Sequence, residues 1–143
     1  MKKLRKTKSL RKIIFVCMHN RFRSKVAEAY LKKINKNPRI KISSGGVFKG
    51  YPVAKSVIEV GKKFGLKINE KTKGLAEKEL VDADKIIVVA DNVPKDVFSS
   101  KRFKDKTIFW KIPDTSQNNK EEIGKITKKI IQKINRFKSK LLK

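Results

Sequence analysis

The sequence predicts an α/β fold: a four-stranded parallel sheet of strand order 2-1-3-4, doubly wound, with helices on both faces. Short runs rich in β-branched residues alternate with longer segments of helical periodicity. This alternation is typical of parallel sheets, because two parallel strands need a crossover helix between them. Polar residues also follow several of the predicted strands, where sites gather in such sheets.

The first half of the chain predicts two strands and two helices. The apolar run within residues 12–16 indicates a buried strand, and a helix over residues 24–35 has its apolar residues on one face and ends before Asn37-Pro38. Ile40 and Ile42 alternate with polar residues, which predicts a short second strand. We expect a loop over residues 44–51, then a helix that begins at Pro52 and stops at Gly65.

The second half predicts two strands and three helices. Residues 85–90 form a second clearly buried apolar run, and residues 107–110 form a fourth strand. We expect short helices over residues 76–81 and 94–98 and an irregular segment over residues 67–74. Isoleucines at steps of three and four predict a long last helix over residues 120–142.

Length and cysteine content indicate one domain over residues 1–143, with residues 1–11 as a basic, frayed lead-in. The single cysteine excludes an internal disulfide and fits a reducing cytosol. The apolar run after the basic start is too short for a signal peptide, and no segment reaches transmembrane length. We therefore expect a cytoplasmic monomer that does not enter the membrane.

The charge is strongly positive, with 39 Lys and Arg against 13 Asp and Glu. Lysines concentrate in residues 1–12 and 120–143 but are otherwise scattered on faces that look solvated, which favours compositional drift. A surface of this kind can also bind polyanions weakly and non-specifically, in a salt-sensitive way. No recognised nucleic-acid-binding motif is present.

The chain is organised around the stretch from Ile13 to Ser24, in which a strand leads through a short loop into a helix. Cys17 follows the strand, and Arg23 closes the loop. Backbone N–H groups at a helix start converge on one point, which suits a tetrahedral oxyanion. A cysteine beside a helix N-terminus and an arginine also ionises readily. We therefore expect the loop to bind phosphate and Cys17 to attack it, with Arg23 holding two phosphate oxygens.

The motif Cys17-x5-Arg23-Ser24 after a hydrophobic strand resembles the phosphate-binding loop of low-molecular-weight protein tyrosine phosphatases and of the arsenate reductases that share their flavodoxin-like fold. The segments Ala27-Glu28-Ala29, Ser43-Ser44-Gly45-Gly46 and Trp110-Lys111-Ile112-Pro113-Asp114 resemble further family segments in the same order. The resemblance implies a phosphomonoesterase, without metal or cofactor, that acts on phosphorylated proteins or small aryl phosphates.

The resemblance also implies roles for individual residues. Asp114 would be the general acid, with Asp91 as the competing candidate, and Asn20, Ser24 and Ser44 would brace the loop. Ser24 also suits a helix N-cap, and its hydroxyl can stabilise the Cys17 thiolate. The phosphate would be bound by the residues of the loop, namely Met18, His19, Asn20, Arg21, Phe22, Arg23 and Ser24.

Three departures from the family pattern leave alternatives open. Phe22 replaces a second loop cysteine, Thr115-Ser116-Gln117 replaces paired tyrosines, and Glu70 stands near a position where the family often has a histidine. Arsenate reduction is the alternative enzymatic function, and His19 favours it because arsenate-reductase-like members often carry histidine there. With one cysteine, the chain would need an external low-molecular-weight thiol. A non-catalytic module that binds anions or nucleic acid is the third possibility.

Overall fold

The structure, a computed structural model, describes residues 10–142. Its four strands pair in parallel in the order β2-β1-β3-β4, which confirms the predicted sheet. The strands are β1 (Arg11–Cys17), β2 (Ile40–Gly46), β3 (Lys85–Val89) and β4 (Thr107–Trp110).

Helices connect the strands and cover both faces of the sheet. A 3-10 helix spans Lys95–Phe98. No helix among residues 10–142 is long and apolar enough to span a bilayer. The α-helices are α1 (Arg23–Ile34), α2 (Lys55–Lys63), α3 (Glu77–Asp82), α4 (Lys101–Lys104) and α5 (Lys120–Leu141).

Two hydrophobic cores lie on opposite faces of the sheet, because alternate residues of a strand point to opposite sides. Ile13 and Phe15 of β1 belong to the core that α1, α2 and α5 cover. Ile14 and Val16 belong to the core that α3, the 3-10 helix and α4 cover. This double covering explains why the central strands read as unbroken apolar runs.

Helix α5 is amphipathic and closes the larger core. Its residues Ile123, Ile130 and Ile134 are completely buried, and they lie at the helical spacing that the sequence predicts. The helix begins after Asn119, whose side chain accepts a hydrogen bond from the backbone N–H of Glu122 at 3.1 Å. Several lysines remain on its exposed face.

Strands β1 and β2 are longer than we expected. β1 begins at Arg11, inside the predicted lead-in; residues 1–9 of that lead-in lie outside the described residues. β2 continues to Gly46, although a loop was predicted from Ser44, because Ser44–Gly46 pair in register with Phe15–Cys17. Parallel pairing to a buried neighbour thus overrides the local signal of two serines and two glycines.

Other elements of the fold also differ from the predictions. Helix α2 begins at Lys55 rather than Pro52, because Arg21 Nε donates to the carbonyls of Tyr51 and Pro52 and holds this segment outside the helix. β3 ends at Val89 rather than Ala90. The one-turn helix α4 was not predicted; the Ser100 side chain caps it by accepting from the N–H of Arg102.

Candidate active site

The loop between β1 and α1 forms a small pocket at the carboxyl edge of the sheet. Cys17 is the last residue of β1 and Arg23 the first of α1. The pocket holds about 60 Å³, far less than the roughly 300–1,000 Å³ of a typical small-molecule site, so it fits one small polar group. Its lining residues are Cys17, Met18, His19, Arg21, Phe22, Arg23, Asp114 and Gln117.

The sulfur of Cys17 lies beside the first turn of α1. Cys17 Sγ is 2.9 Å from Ser24 Oγ and accepts a hydrogen bond from the Ser24 backbone N–H at 3.4 Å. The prediction that α1 starts at Ser24, with this serine suited to the N-cap, is wrong. Phe22 is the N-cap and offers no side-chain hydrogen bond. The Ser24 hydroxyl is thus directed to the sulfur, and at the start of α1 the Cys17 sulfur, rather than the side chain of Phe22, accepts a backbone N–H.

Asn20 braces the loop from within. It is almost completely buried, and its backbone is left-handed with φ 58°, a conformation that asparagine tolerates better than most residues. Its Nδ2 donates to Ser24 Oγ at 2.8 Å and to Ser44 Oγ at 2.9 Å. Its Oδ1 accepts from the backbone N–H of Lys73 at 3.0 Å. Asn20 therefore ties the loop to α1, β2 and the segment before α3.

The group that holds the side-chain oxygen of Asn20 is a backbone amide and not a side chain. Glu70, which stands near the family's histidine position, is exposed, and its carbonyl accepts from the N–H of Val53 at 2.9 Å. Lys73 supplies the amide that holds Asn20 Oδ1. Ser44 in turn donates its hydroxyl to Glu28 of α1. This network satisfies the buried polar atoms of Asn20 and Ser44 without a histidine.

The end of β2 supports the loop through close backbone contact. A Cβ placed on Gly46 would lie 2.6 Å from the carbonyl carbon of His19 and 2.7 Å from the nitrogen of Asn20. After Gly46, the N–H groups of Val47 and Phe48 donate to the carbonyls of Cys17 and Met18. Only glycine permits the loop to lie this close to the strand.

Arg23 is 2% exposed and joins the loop to the ends of β3 and β4. Its Nη1 donates to the carbonyl of Ile112 at 2.8 Å, and its Nη2 donates to Asn92 Oδ1 at 2.9 Å. Two carboxylates lie slightly further away, with Asp91 Oδ1 3.6 Å from Nη1 and Asp114 Oδ2 3.5 Å from Nη2. These partners compensate the buried charge and fix the plane of the guanidinium.

The remaining loop residues have different surroundings. Phe22 is buried in the larger core and anchors the loop, while Met18 packs against the smaller one. His19 is exposed, and its ring lies 6.2 Å from that of Phe48. Arg21 is held by carbonyl groups at the pocket mouth. Within residues 10–142, no three His, Cys, Asp or Glu side chains come together as metal ligands.

A family model described as low molecular weight phosphotyrosine protein phosphatase matches residues 12–143. The chain belongs to this family. Its members are phosphatases, and the resemblance read from the sequence is thereby confirmed. No match was found among curated protein sequences.

Solved structures of several phosphatases share the fold of this low-molecular-weight phosphatase. The YwlE arginine phosphatase from Geobacillus stearothermophilus aligns with a TM-score of 0.79 at 22% identity, over 92% of each chain. The low molecular weight protein tyrosine phosphatase from T. tengcongensis aligns with a TM-score of 0.78 at 25% identity, over 91% of this chain and 99% of its own. An arsenate reductase from Archaeoglobus fulgidus aligns with a TM-score of 0.72 at 25% identity, over 87% and 97%.

Asn92, Gln117 and Lys25 of this phosphatase contact the site or its braces but were not predicted as site residues from the sequence. Asn92 holds Arg23, and its place three residues after the end of β3 was a usable signal. Gln117 lines the pocket, and its place soon after Asp114 was a weaker signal. Lys25 is 8% exposed and gave no signal; its Nζ donates to Asn69 Oδ1 at 2.9 Å and to the Lys71 carbonyl at 2.8 Å.

Proposed function

We propose that this phosphatase hydrolyses phosphomonoesters through a cysteinyl-phosphate intermediate on Cys17. One observation carries the proposal: Cys17, Arg23 and Asp114 line the same small pocket, and the sulfur of Cys17 accepts the backbone N–H of Ser24 at the start of a helix. This combination offers a nucleophile, a cationic fork for phosphate oxygens and a carboxyl group for proton transfer.

In the first step the Cys17 thiolate attacks phosphorus. An S–P bond forms and the bond from phosphorus to the ester oxygen breaks, while the Asp114 carboxyl gives its proton to the departing oxygen. Arg23 has hydrogens beyond those used by Ile112 and Asn92, and these are available to equatorial phosphate oxygens. The fixed guanidinium and the helix-start amides stabilise the charge of the transition state.

In the second step water replaces the thiolate. The water oxygen attacks phosphorus, the P–S bond breaks, and the Asp114 carboxylate takes a proton from the water. Inorganic phosphate is released, and the Cys17 thiolate is regenerated. The Ser24 hydroxyl, 2.9 Å from Sγ, stabilises this leaving thiolate by donating a hydrogen bond.

The test is turnover of para-nitrophenyl phosphate with EDTA present, in the wild type and in Cys17→Ser, Arg23→Ala and Asp114→Asn. We expect near-complete loss in the first two variants. An exposed arginine of α5, Arg136, gives the matched control Arg136→Ala, which should keep wild-type activity. Undiminished turnover by Cys17→Ser would exclude the covalent mechanism.

For the substrate class we propose phosphotyrosine in proteins or small aryl phosphates. The T. tengcongensis structure is that of a tyrosine phosphatase and the Geobacillus one that of an arginine phosphatase. A panel of phosphotyrosine and phosphoarginine peptides compares both kinds of leaving group. Higher kcat/KM for phosphotyrosine would support the proposal, and higher kcat/KM for phosphoarginine would contradict it.

Arsenate reduction is the second candidate, favoured by the likeness to the Archaeoglobus arsenate reductase. Arsenate would bind as phosphate does, and an As–S bond to Cys17 would form as one arsenate oxygen leaves as water. Because the chain has one cysteine, an external thiol must then attack that sulfur, which breaks the As–S bond, leaves a mixed disulfide and releases arsenite. Arsenite formation with small thiols present, exceeding phosphomonoester turnover, would favour this reaction.

A non-catalytic role would rest on the positive charge. We infer a weak, non-specific affinity for polyanions in a cytoplasmic monomer, since formal net charge is +26. Salt-sensitive RNA binding in a protein without phosphatase turnover, equal in wild type and Cys17→Ser, would favour a binding module over an enzyme.

A further inference from the structure

Gln117 has an unsatisfied polar atom beside the catalytic pocket. Gln117 lines the same pocket as Cys17 and Asp114, and its side-chain Oε1 is buried without a hydrogen-bond partner among residues 10–142. The backbone carbonyl of Gln117 accepts the Ser56 hydroxyl at 2.5 Å. The turn is therefore held by the main chain, which leaves the carboxamide available for a ligand.

A buried acceptor without a donor is costly, and native proteins retain few of them. The missing donor at Gln117 is therefore expected from whatever enters the pocket. The oxygens of a phosphate dianion or of a cysteinyl phosphate carry no hydrogen, so the phosphoryl group cannot supply it. Water carries two hydrogens and enters once the leaving group has departed.

We propose that Gln117 positions the water that hydrolyses the cysteinyl phosphate on Cys17, an inference that rests on the proposed function. The water donates one hydrogen bond to Gln117 Oε1 and the other to the Asp114 carboxylate. These two bonds direct an oxygen lone pair at phosphorus. As the O–P bond forms, the P–S bond breaks, one water proton passes to Asp114, and the electron pair of the broken bond returns to the sulfur.

A carboxamide suits this position because it accepts a hydrogen bond without negative charge. A second carboxylate there would repel the phosphoryl group, and an aromatic ring would accept no conventional hydrogen bond. Gln117 follows Asp114 by three residues, so one short turn presents both the proton acceptor and the second contact to the water. Gln117 has no part in the first step.

The experiment separates the two steps. Wild type and Gln117→Met are mixed rapidly with para-nitrophenyl phosphate, and the release of nitrophenolate is followed as a burst and a steady state. The phosphoenzyme is trapped in acid, and its decay is timed after the substrate is removed. Methionine keeps the side chain's length and removes the acceptor. Gln132→Met, at an exposed glutamine of α5, is the matched control.

We expect Gln117→Met to slow phosphoenzyme decay and kcat by about tenfold or more, as the loss of one well-placed hydrogen bond to a reacting group implies. The burst rate should stay at the wild-type value, and Gln132→Met should match the wild type throughout. An unchanged decay rate, or a burst slowed as much as the steady state, would overturn the role in water positioning. A wild type with neither burst nor turnover would overturn the proposed function itself.

Discussion

The hydroxyl of Ser24 lies 2.9 Å from the sulfur of Cys17 and 2.8 Å from the amide nitrogen of Asn20. The amide nitrogen can only donate, so Ser24 Oγ accepts from Asn20 and directs its own hydrogen to the sulfur. A thiolate accepts such a bond. The chain Asn20–Ser24–Cys17 thus orients one proton towards the charge that forms on the sulfur.

Ser24→Ala removes this hydrogen bond while leaving the backbone N–H contact in place. A hydrogen bond to a charged group contributes roughly 1.5–3 kcal/mol, so we expect kcat for para-nitrophenyl phosphate to fall by about 10- to 100-fold. Ser139→Ala, at an exposed serine of α5, is the control. A kcat equal to that of the wild type would show that the hydroxyl does not stabilise the thiolate.

Two replacements of Asn20 separate the effect of its hydrogen bonds on stability from the effect of its backbone conformation. Asn20→Gly and Asn20→Ala both lose the bonds to Ser24, Ser44 and Lys73, but only glycine adopts φ 58° without strain. We expect the alanine variant to unfold in urea with a free energy lower than that of the glycine variant by about 1–2 kcal/mol. Equal free energies of unfolding would contradict the strain at this position.

Phosphate affinity gives a second measurement on the Asn20 variants. Both should bind inorganic phosphate, measured as a competitive inhibitor, more weakly than the wild type, because the loop loses its braces. Retained phosphate affinity in both variants would show that the loop keeps its shape without Asn20.

Asp91 and Asp114 lie at nearly equal distances from Arg23, at 3.6 and 3.5 Å, but only Asp114 lines the pocket. We therefore expect Asp114→Asn to lower kcat by about 10²- to 10⁴-fold for poor leaving groups and less for good ones. Asp91→Asn should lower activity to the same modest extent for every leaving group. Rates on a series of aryl phosphates check this, and a leaving-group dependence that changes in Asp91→Asn instead would exchange the two roles.

The sheet and the convergence of the site could be predicted because they depend on chain-wide patterns. Alternating strands and helices require parallel strands, whose carboxyl ends share one edge. Asp91 and Asp114 therefore lie near Arg23, and Cys17 lines the same pocket as Arg23 and Asp114. Ser44 is joined to the loop through Asn20.

The contacts that were not predicted depend on the shapes of irregular segments. No hydrophobic periodicity in the sequence specifies those shapes. A lysine in a chain with 39 cationic residues is expected to be solvated, but Lys25 is buried and its ammonium donates to Asn69 and Lys71. Gln117 enters the pocket through a turn held by a serine of α2, 61 residues earlier. β2 likewise extends past its local signals because β1 lies alongside.

Lys25 links α1 to the segment that braces Asn20. Its ammonium holds Asn69 and Lys71, and two residues further on the amide of Lys73 donates to Asn20 Oδ1. Burial lowers the pKa of Lys25 below its ordinary value of 10.5, although nearby Glu28 acts in the opposite direction. In the folded protein Lys25 therefore loses its proton at a lower pH than in the unfolded chain.

Lys25→Met tests this linkage through the pH dependence of unfolding. Between the lowered pKa and 10.5, the unfolded chain binds more protons at this position than the folded one, so the contribution of Lys25 to stability rises with pH. We expect the free energy of unfolding in urea, wild type minus Lys25→Met, to increase from neutral pH towards about pH 10. Lys128→Met, at an exposed lysine of α5, controls for the loss of one positive charge. A difference that is constant with pH, or that falls as pH rises, would show that the Lys25 ammonium is not desolvated in the folded protein.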